Sequence, residues 1–248
     1  MTPSFEQSFK KRLQIIAKER NLVPAALWQN VLAERFLVRL STSPYCSHFV
    51  LKGGVLLAKH VKLDRETQDL DFAVARLSHE VSALRQVFDE ITAIDANDGF
   101  IFSNPIIAPL EHFHMKYTGA QIKIKVQFGK AKFPLFIDLG FGDLIKVHEQ
   151  NVQLLSHSKG PLFEPFVTLN CYPLAFVFAE KLETVLYRGA ENSRMKDFHD
   201  LHIVFSRKML FFSLTSPFNP CEGEIAPFAF KVFTDKKGFS YPPTSVDG

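Results

Sequence analysis

The chain has 248 residues, 46% hydrophobic and 22% charged, a balance that excludes a disordered or collagen-like polypeptide and is enough to bury a sizeable core. Twenty-nine Lys and Arg against 26 Asp and Glu leave a formal net charge of +3, too small an excess to select a partner by itself. Cys46, Cys171 and Cys221 are far apart, odd in number and without a Cys-x-x-Cys pair, which points away from a disulfide framework or zinc ribbon and toward a reducing cytoplasm.

The N-terminus alternates charge with apolar residues, so it predicts neither a signal peptide nor a membrane span. Phe5, Phe9, Leu13, Ile16 and Ala17 recur at helical spacing. Pro24 sits where a second helix can begin, running through Leu27, Trp28, Val31, Leu32, Phe36 and Leu40. After the Ser41 to Pro44 cluster, His48 to Leu51 reads as a short buried strand leading into Lys52-Gly53-Gly54 and a helix from Val55 to about Val61. Asp69-Leu70-Asp71-Phe72-Ala73-Val74 alternates carboxylates with apolar residues, a strand pattern.

A helix follows, with Ser78 as its N-cap and Val81, Leu84, Val87, Phe88 and Ile91 on one face, and it ends in a turn over Asp95 to Gly99. Gln121 to Phe128 alternates throughout, and Pro134 to Leu139 reads as a further strand after the Gly129 turn. The Asp69, Ile122 and Asp138 strands are predicted to share one sheet flanked by helices, an α+β (mixed α/β) fold. Pro173 to Arg188 predicts a helix with Leu174, Val177, Phe178, Leu182, Val185 and Leu186 on its buried stripe and Gly189 past its end. A second helix carries Lys196, Asp197, Phe198, Asp200, Leu201 and Val204. The expected organisation is residues 1–165 as N-terminal helices and α/β domain, 166–210 as a helical subdomain, and 211–248 as an irregular, Pro- and Phe-bearing tail. No internal repeat is present.

Asp69 and Asp71, two apart on a strand, project from one face. Two carboxylates that close repel unless a cation neutralises them, and Mg²⁺ is the usual ion in phosphate chemistry. Asp138 on a neighbouring strand would complete a two-metal site; the competing reading is that Asp-x-Asp is too short a pattern to carry this and that Asp138 merely sits at a strand end facing water. Gly53-Gly54 between strand and helix exposes backbone N–H groups able to cradle phosphate oxygens; a tight turn needing positive φ is the plainer reading. Lys116, Lys123, Lys125, Lys130 and Lys132 occur without an intervening acid, a face that either holds an RNA backbone or is the wet side of a half-covered sheet. His112, His114, His199 and His202 do not make a metal set.

The run Phe49-Val50-Leu51-Lys52-Gly53-Gly54-Val55-Leu56-Leu57-Ala58-Lys59, then Thr67-Gln68-Asp69-Leu70-Asp71-Phe72, resembles the nucleotidyltransferase toxins of the AbiEii/AbiGii family. Ala179-Glu180-Lys181-Leu182-Glu183 and Arg194-Met195-Lys196-Asp197-Phe198-His199-Asp200-Leu201 look like that family's downstream motifs. The resemblance runs from about Phe49 to Val204. It implies a DNA polymerase β-type nucleotidyltransferase fold, a toxin opposed by a cognate antitoxin, and nucleotide transfer from an NTP, with tRNA as the acceptor in related toxins. By matching position, Lys52, Gly53 and Gly54 would bind the NTP phosphates, Asp69, Asp71 and Asp138 the metal ions, and Lys181 the triphosphate, with Asp197 and Asp200 in the last motif. Many such enzymes carry Ser after the first glycine; Gly54 offers no hydroxyl. Ordinary ion pairing on helix surfaces is the competing reading of Lys181, Asp197 and Asp200. Modification of a protein or of a small molecule such as an aminoglycoside, and a catalytically silent binding module, are the competing functions.

Overall fold

The computed structural model describes residues 3–61, 69–110, 119–142, 147–189 and 195–206. Lys116, His112, His114, Arg194 and the expected tail at 211–248 lie outside the described residues. The chain divides into two compact units, Met1–Tyr172 and Pro173–Gly248.

The first unit opens with α1 (Pro3–Arg20) and α2 (Pro24–Thr42). Phe9, Leu13 and Ile16 of α1 are buried as their spacing predicts, and Pro24 opens α2 at a position where a missing N–H costs nothing. Helix α2 is buried almost all round and takes charged residues inside with it. Arg39 donates through both Nη atoms to Asp98, at 2.7 and 2.9 Å, and to the Phe100 carbonyl at 2.9 Å. Its guanidinium lies 4.4 Å from the centre of the Phe102 ring. Arg35 pairs with Glu164 and lies over Phe163. Glu34 takes the Lys59 ammonium and the Leu155 N–H. A buried charge is tolerated only when it is paired in this way.

A short 3₁₀ turn, Cys46–His48, leads into β1 (Phe49–Lys52), α3 (Gly53–His60) and β2 (Asp69–Val74), and α4 (Val81–Ala93) follows. Leu84, Val87, Phe88 and Ile91 of α4 are buried. Ser78 is not its N-cap: Glu80 holds that position, and the Ser78 hydroxyl instead accepts the Glu80 N–H in a local turn before the helix. The remaining strands complete the main sheet and form a small hairpin: β3 (Phe100–Leu110), β4 (Gly119–Phe128), β5 (Ala131–Phe141), β6 (His148–Gln153), β7 (Ser156–His157), β8 (Gly160–Pro161) and β9 (Phe166–Cys171), of which β7 and β8 pair apart.

The seven-stranded order is β3-β4-β5-β2-β1-β9-β6, with β2/β5 and β1/β9 parallel and the other pairs antiparallel. The three strands expected to share a sheet do so as β2, β4 and β5. The expected boundary after residue 165 precedes β9, whose pairing with β1 and β6 ties it to the sheet, so the division falls after Tyr172.

One sheet face is apolar: Leu70 and Phe72 of β2, Ile122, Ile124 and Val126 of β4, and Leu135, Ile137 and Leu139 of β5 are buried. Eight of the 26 phenylalanines pack together on this side. Phe36 of α2 packs against Phe72, Phe88 and Phe102, and Phe9 of α1 against Trp28, Phe100, Phe128 and Phe163. At the β3 edge, Asn104 at φ 52 and Pro105 shift the register between Ser103 and Ile106; such a bulge blunts an exposed edge.

The second unit contains α5 (Leu174–Arg188) and α6 (Met195–Ser206). Of the expected α5 stripe, only Val177 is buried; Leu182 and Leu186 are 37% and 52% exposed, and Phe198 of α6 is 40% exposed. No helix among the described residues is long and apolar enough to cross a membrane.

Candidate active site

Strand β1 ends at Lys52, and α3 begins at once with Gly53 at φ +68. Two facts require a glycine there. The left-handed backbone disfavours any other residue, and a Cβ on Gly53 would stand 2.5 Å from the Cγ and 2.7 Å from the Cβ of Asp71. The Asp71 carboxylate therefore lies directly against the turn at the N-terminus of α3, where backbone N–H groups and the helix dipole favour anions.

Asp69 and Asp71 alternate along β2 with buried Leu70 and Phe72, so the same pattern that anchors the strand turns both carboxylates to the opposite face. The parallel pairing of β2 with β5 makes Asp71 and Asp138 Cα partners, on strands spaced about 4.8 Å apart. Gln121, opposite Asp138 on β4, donates its Nε2 hydrogen to Asp138 Oδ1 at 2.9 Å. A neutral donor fixes the carboxylate plane without cancelling its charge. Lys52 pairs in register with Asp71. Its ammonium lies 5.6 Å from the centre of the Tyr172 ring and 4.0 Å from where a Cβ on Gly140 would be. Gly140, two residues after Asp138 on β5, thus lies beside that ammonium, at a distance where a Cβ would make only ordinary contact.

Three carboxylates and one ammonium leave this patch formally negative. Among the described residues, no group of three or more His, Cys, Asp and Glu side chains is gathered closely enough to hold a metal ion. The donor chemistry still fits a hard divalent cation, because Mg²⁺ is commonly bound through one or two carboxylates together with substrate phosphates rather than in an all-protein cage. The adjacent Asp71 and Asp138, with Asp71 packed against the glycine turn at the start of α3, are such a pair. Cys171, facing Leu51 across β9 and β1, offers no nucleophile: burial pushes its thiol up to about 12.

In the second unit Lys181 of α5 lies 2.9 Å from Asp197 and 2.9 Å from Asp200 of α6, the lysine side chain 13% exposed and the carboxylates 2% and 0%. The three downstream residues singled out in the sequence are thus brought together as one buried ion cluster between two helices. Lys52, Gly53, Gly54, Asp69, Asp71 and Asp138 come together in the first unit. Gln121, Gly140 and Tyr172 were missed by sequence reasoning. Gln121 was visible only as one polar position of an alternating strand, and the other two carried no signal.

A family model described as nucleotidyl transferase AbiEii toxin, type IV toxin–antitoxin system, matches residues 35–217. No curated protein sequence matches the chain. Two solved structures share the fold at a TM-score of 0.50 and 18% identity, each over 86% of this chain. One is JHP933 from Helicobacter pylori, of which 76% is covered; the other is a protein from H. pylori named as a candidate nucleotidyltransferase, of which 78% is covered.

Proposed function

The chain belongs to the AbiEii nucleotidyltransferase toxin family of type IV toxin–antitoxin systems, and on that premise we propose that it transfers nucleotides from an NTP to an RNA acceptor, tRNA, in a Mg²⁺-dependent reaction in the cytoplasm. Family membership itself makes it a nucleotidyltransferase and brings a nucleotide substrate and an antitoxin counterpart. The observation that carries the finer reading is the abutment of Asp71 on the Gly53 turn with Asp138 on the adjacent strand. The glycine turn and the carboxylate pair lie within one side chain's reach of each other, which supports a reading of the turn as the phosphate seat.

In this reading the Gly53 and Gly54 backbone receives the triphosphate, and Lys52 offsets its charge. Asp69, Asp71 and Asp138 would hold divalent cation, which when bound supplies neutralising charge between carboxylates and phosphates. The acceptor hydroxyl oxygen forms a bond to the α-phosphorus while the bond from that phosphorus to the bridging oxygen of the β-phosphate breaks. Pyrophosphate leaves, and the hydroxyl proton passes to a nearby carboxylate. Gln121 keeps Asp138 oriented throughout. Lys181, with Asp197 and Asp200, is assigned to the triphosphate by its motif. In the structure its ammonium is already engaged by two carboxylates, so its first duty is to hold α5 to α6.

Incubation with each labelled NTP, Mg²⁺ and total tRNA should label RNA, and Asp71→Asn should abolish the label while retaining the circular dichroism of the wild type. Absence of transfer from every NTP, or equal labelling by wild type and Asp71→Asn, would overturn the assignment. Label appearing on protein or on an aminoglycoside instead would move the acceptor and keep the chemistry.

A further inference from the structure

The carboxylates belong to a larger pattern on the sheet face opposite the helices. Register sets Asp71, Asp138, Gln121 and Ala108 side by side across β2, β5, β4 and β3. The adjoining row is Asp69, Phe136, Lys123 and Ile106, and the row beyond it Pro134, Lys125 and Ser103. Lys123 and Lys125 are exposed, and Phe136 is half-buried. The Lys123 ammonium stands 5.6 Å from the centre of the Phe136 ring. From Gly119 through Ile137 there is no Asp or Glu, while Lys123, Lys125, Lys130 and Lys132 are all present.

We propose that this face of β3, β4 and β5 is the acceptor platform, and that it holds a single-stranded RNA terminus with an unpaired base on Phe136 and backbone phosphates on Lys123 and Lys125. The proposal rests on the nucleotidyl-transfer reading above. Direction comes from the chemistry of displacement, in which the attacking and leaving oxygens lie roughly in line across the phosphorus. The phosphate turn is at Gly53, on the β1 side of β2, so pyrophosphate departs toward β1. The attacking hydroxyl must then come from the other side, over Asp138 and the strands beyond it. That is where the lysines lie.

Single-strandedness follows from Phe136. Base faces inside a duplex are already stacked on one another, whereas a partly exposed ring beside cations suits a base that is free. Lys123 and Lys125, two residues apart on one strand, are about 7 Å apart along it and can meet successive phosphates.

The test is anisotropy of a labelled single-stranded RNA of about 12 nucleotides without NTP, with labelled-NTP binding measured separately. Lys123→Gln with Lys125→Gln should weaken RNA binding and flatten the dependence of log K on log salt by roughly 1.4, at about 0.7 for each phosphate no longer neutralised. Phe136→Ala should weaken it about 5- to 150-fold with the salt slope unchanged. Phe136→Leu, which keeps apolar bulk and guards against a folding defect, should also lose affinity. All variants should bind NTP as the wild type does, and Lys159→Gln, on the β7–β8 hairpin, should change nothing. Wild-type RNA affinity in the Lys123/Lys125 and Phe136 variants, or equal affinity for the same RNA as a duplex, would overturn the proposal and leave the face to another partner. The chemistry and the platform fail separately: RNA binding that drops in these variants while no NTP is transferred keeps the platform and removes the chemistry, and the converse pattern does the reverse.

Discussion

Replacing Gly53 with alanine perturbs the candidate site at one atom. The new Cβ would occupy a left-handed position at φ +68 and stand 2.5 Å from Asp71 Cγ and 2.7 Å from Asp71 Cβ. The backbone strain is about 1–2 kcal/mol. For a folded unit of this size, each kcal/mol lowers Tm by about 2–4 °C, so the expected drop is roughly 2–8 °C. The larger effect is geometric. Ordinary carbon contacts lie at about 3.5–4 Å, so Asp71 must retreat by roughly 1 Å, and a displacement of that size in a reacting array costs about 10²-fold in rate. Gly140→Ala supplies the control on the same face, since its Cβ would meet the Phe72 carbonyl oxygen at 3.9 Å and Lys52 Nζ at 4.0 Å. Single-turnover labelled-NTP transfer and thermal melting of the two variants decide the matter. The reasoning is refuted if Gly53→Ala transfers nucleotide at the wild-type rate, or if Gly140→Ala loses as much.

Arg39→Leu strips Asp98 of two hydrogen bonds and Phe100 of one inside the core, so urea unfolding should show a loss of about 3–5 kcal/mol; a loss under about 1 kcal/mol would mean that the pair does not clamp α2 to β3. Lys181→Met removes the ammonium from two carboxylates that are 2% and 0% exposed. Hydrogen exchange should rise across 174–206, with Lys181→Arg rising less, and unchanged protection in the Met variant would deny the cluster its structural duty. Cys171 gives a pH dependence. Its folded value, pushed up to about 12 from an ordinary 9.0, keeps the folded state the better proton binder between those values. The stability tied to the neutral thiol is therefore intact below pH 9.0 and is lost as pH rises toward 12. Cys171→Ala should unfold with a shallower alkaline slope than the wild type, and identical slopes would count against this account.

The parts of the fold that announced themselves were those whose period survives burial on one side. The Phe9 stripe of α1 and the alternation of β2 and β4 pack as their spacing predicts, and so does the expected face of α4 except at its first residue, Val81, which is 44% exposed. Strands β3 and β6 did not announce themselves. The first carries two prolines and a bulge, and the second, an edge strand, has Val152 as its only buried residue. Strand β9 buries Val167, Leu169 and Cys171 in strict alternation, the same period-2 pattern that marks β2 and β4. The α5 stripe misled for another reason, because period reports which residues share a face and not whether anything covers it. In the site, Asp69 and Asp71 were legible because a carboxylate at every polar position of a buried strand is conspicuous. Gln121 was not, because its importance lies in a partner 17 residues away that only register reveals.

The parallel join of β1 to β9 also sets a timetable. Leu51 and Cys171 are Cα partners, separated by 171 − 51 = 120 residues of chain, so the strand that presents Lys52 and Gly53 has an open edge while those residues are synthesised. At about 5–20 residues per second that interval is roughly 6–24 s, and pairing across so long a loop is itself slow. Asp138 likewise reaches Asp71 only after β5 has emerged. A ribosome-bound chain therefore carries the Gly53 turn without its finished frame until β9 has been made. In this member of a toxin family, the candidate site is thus framed only once β9 has been made, and shorter nascent chains lack that frame.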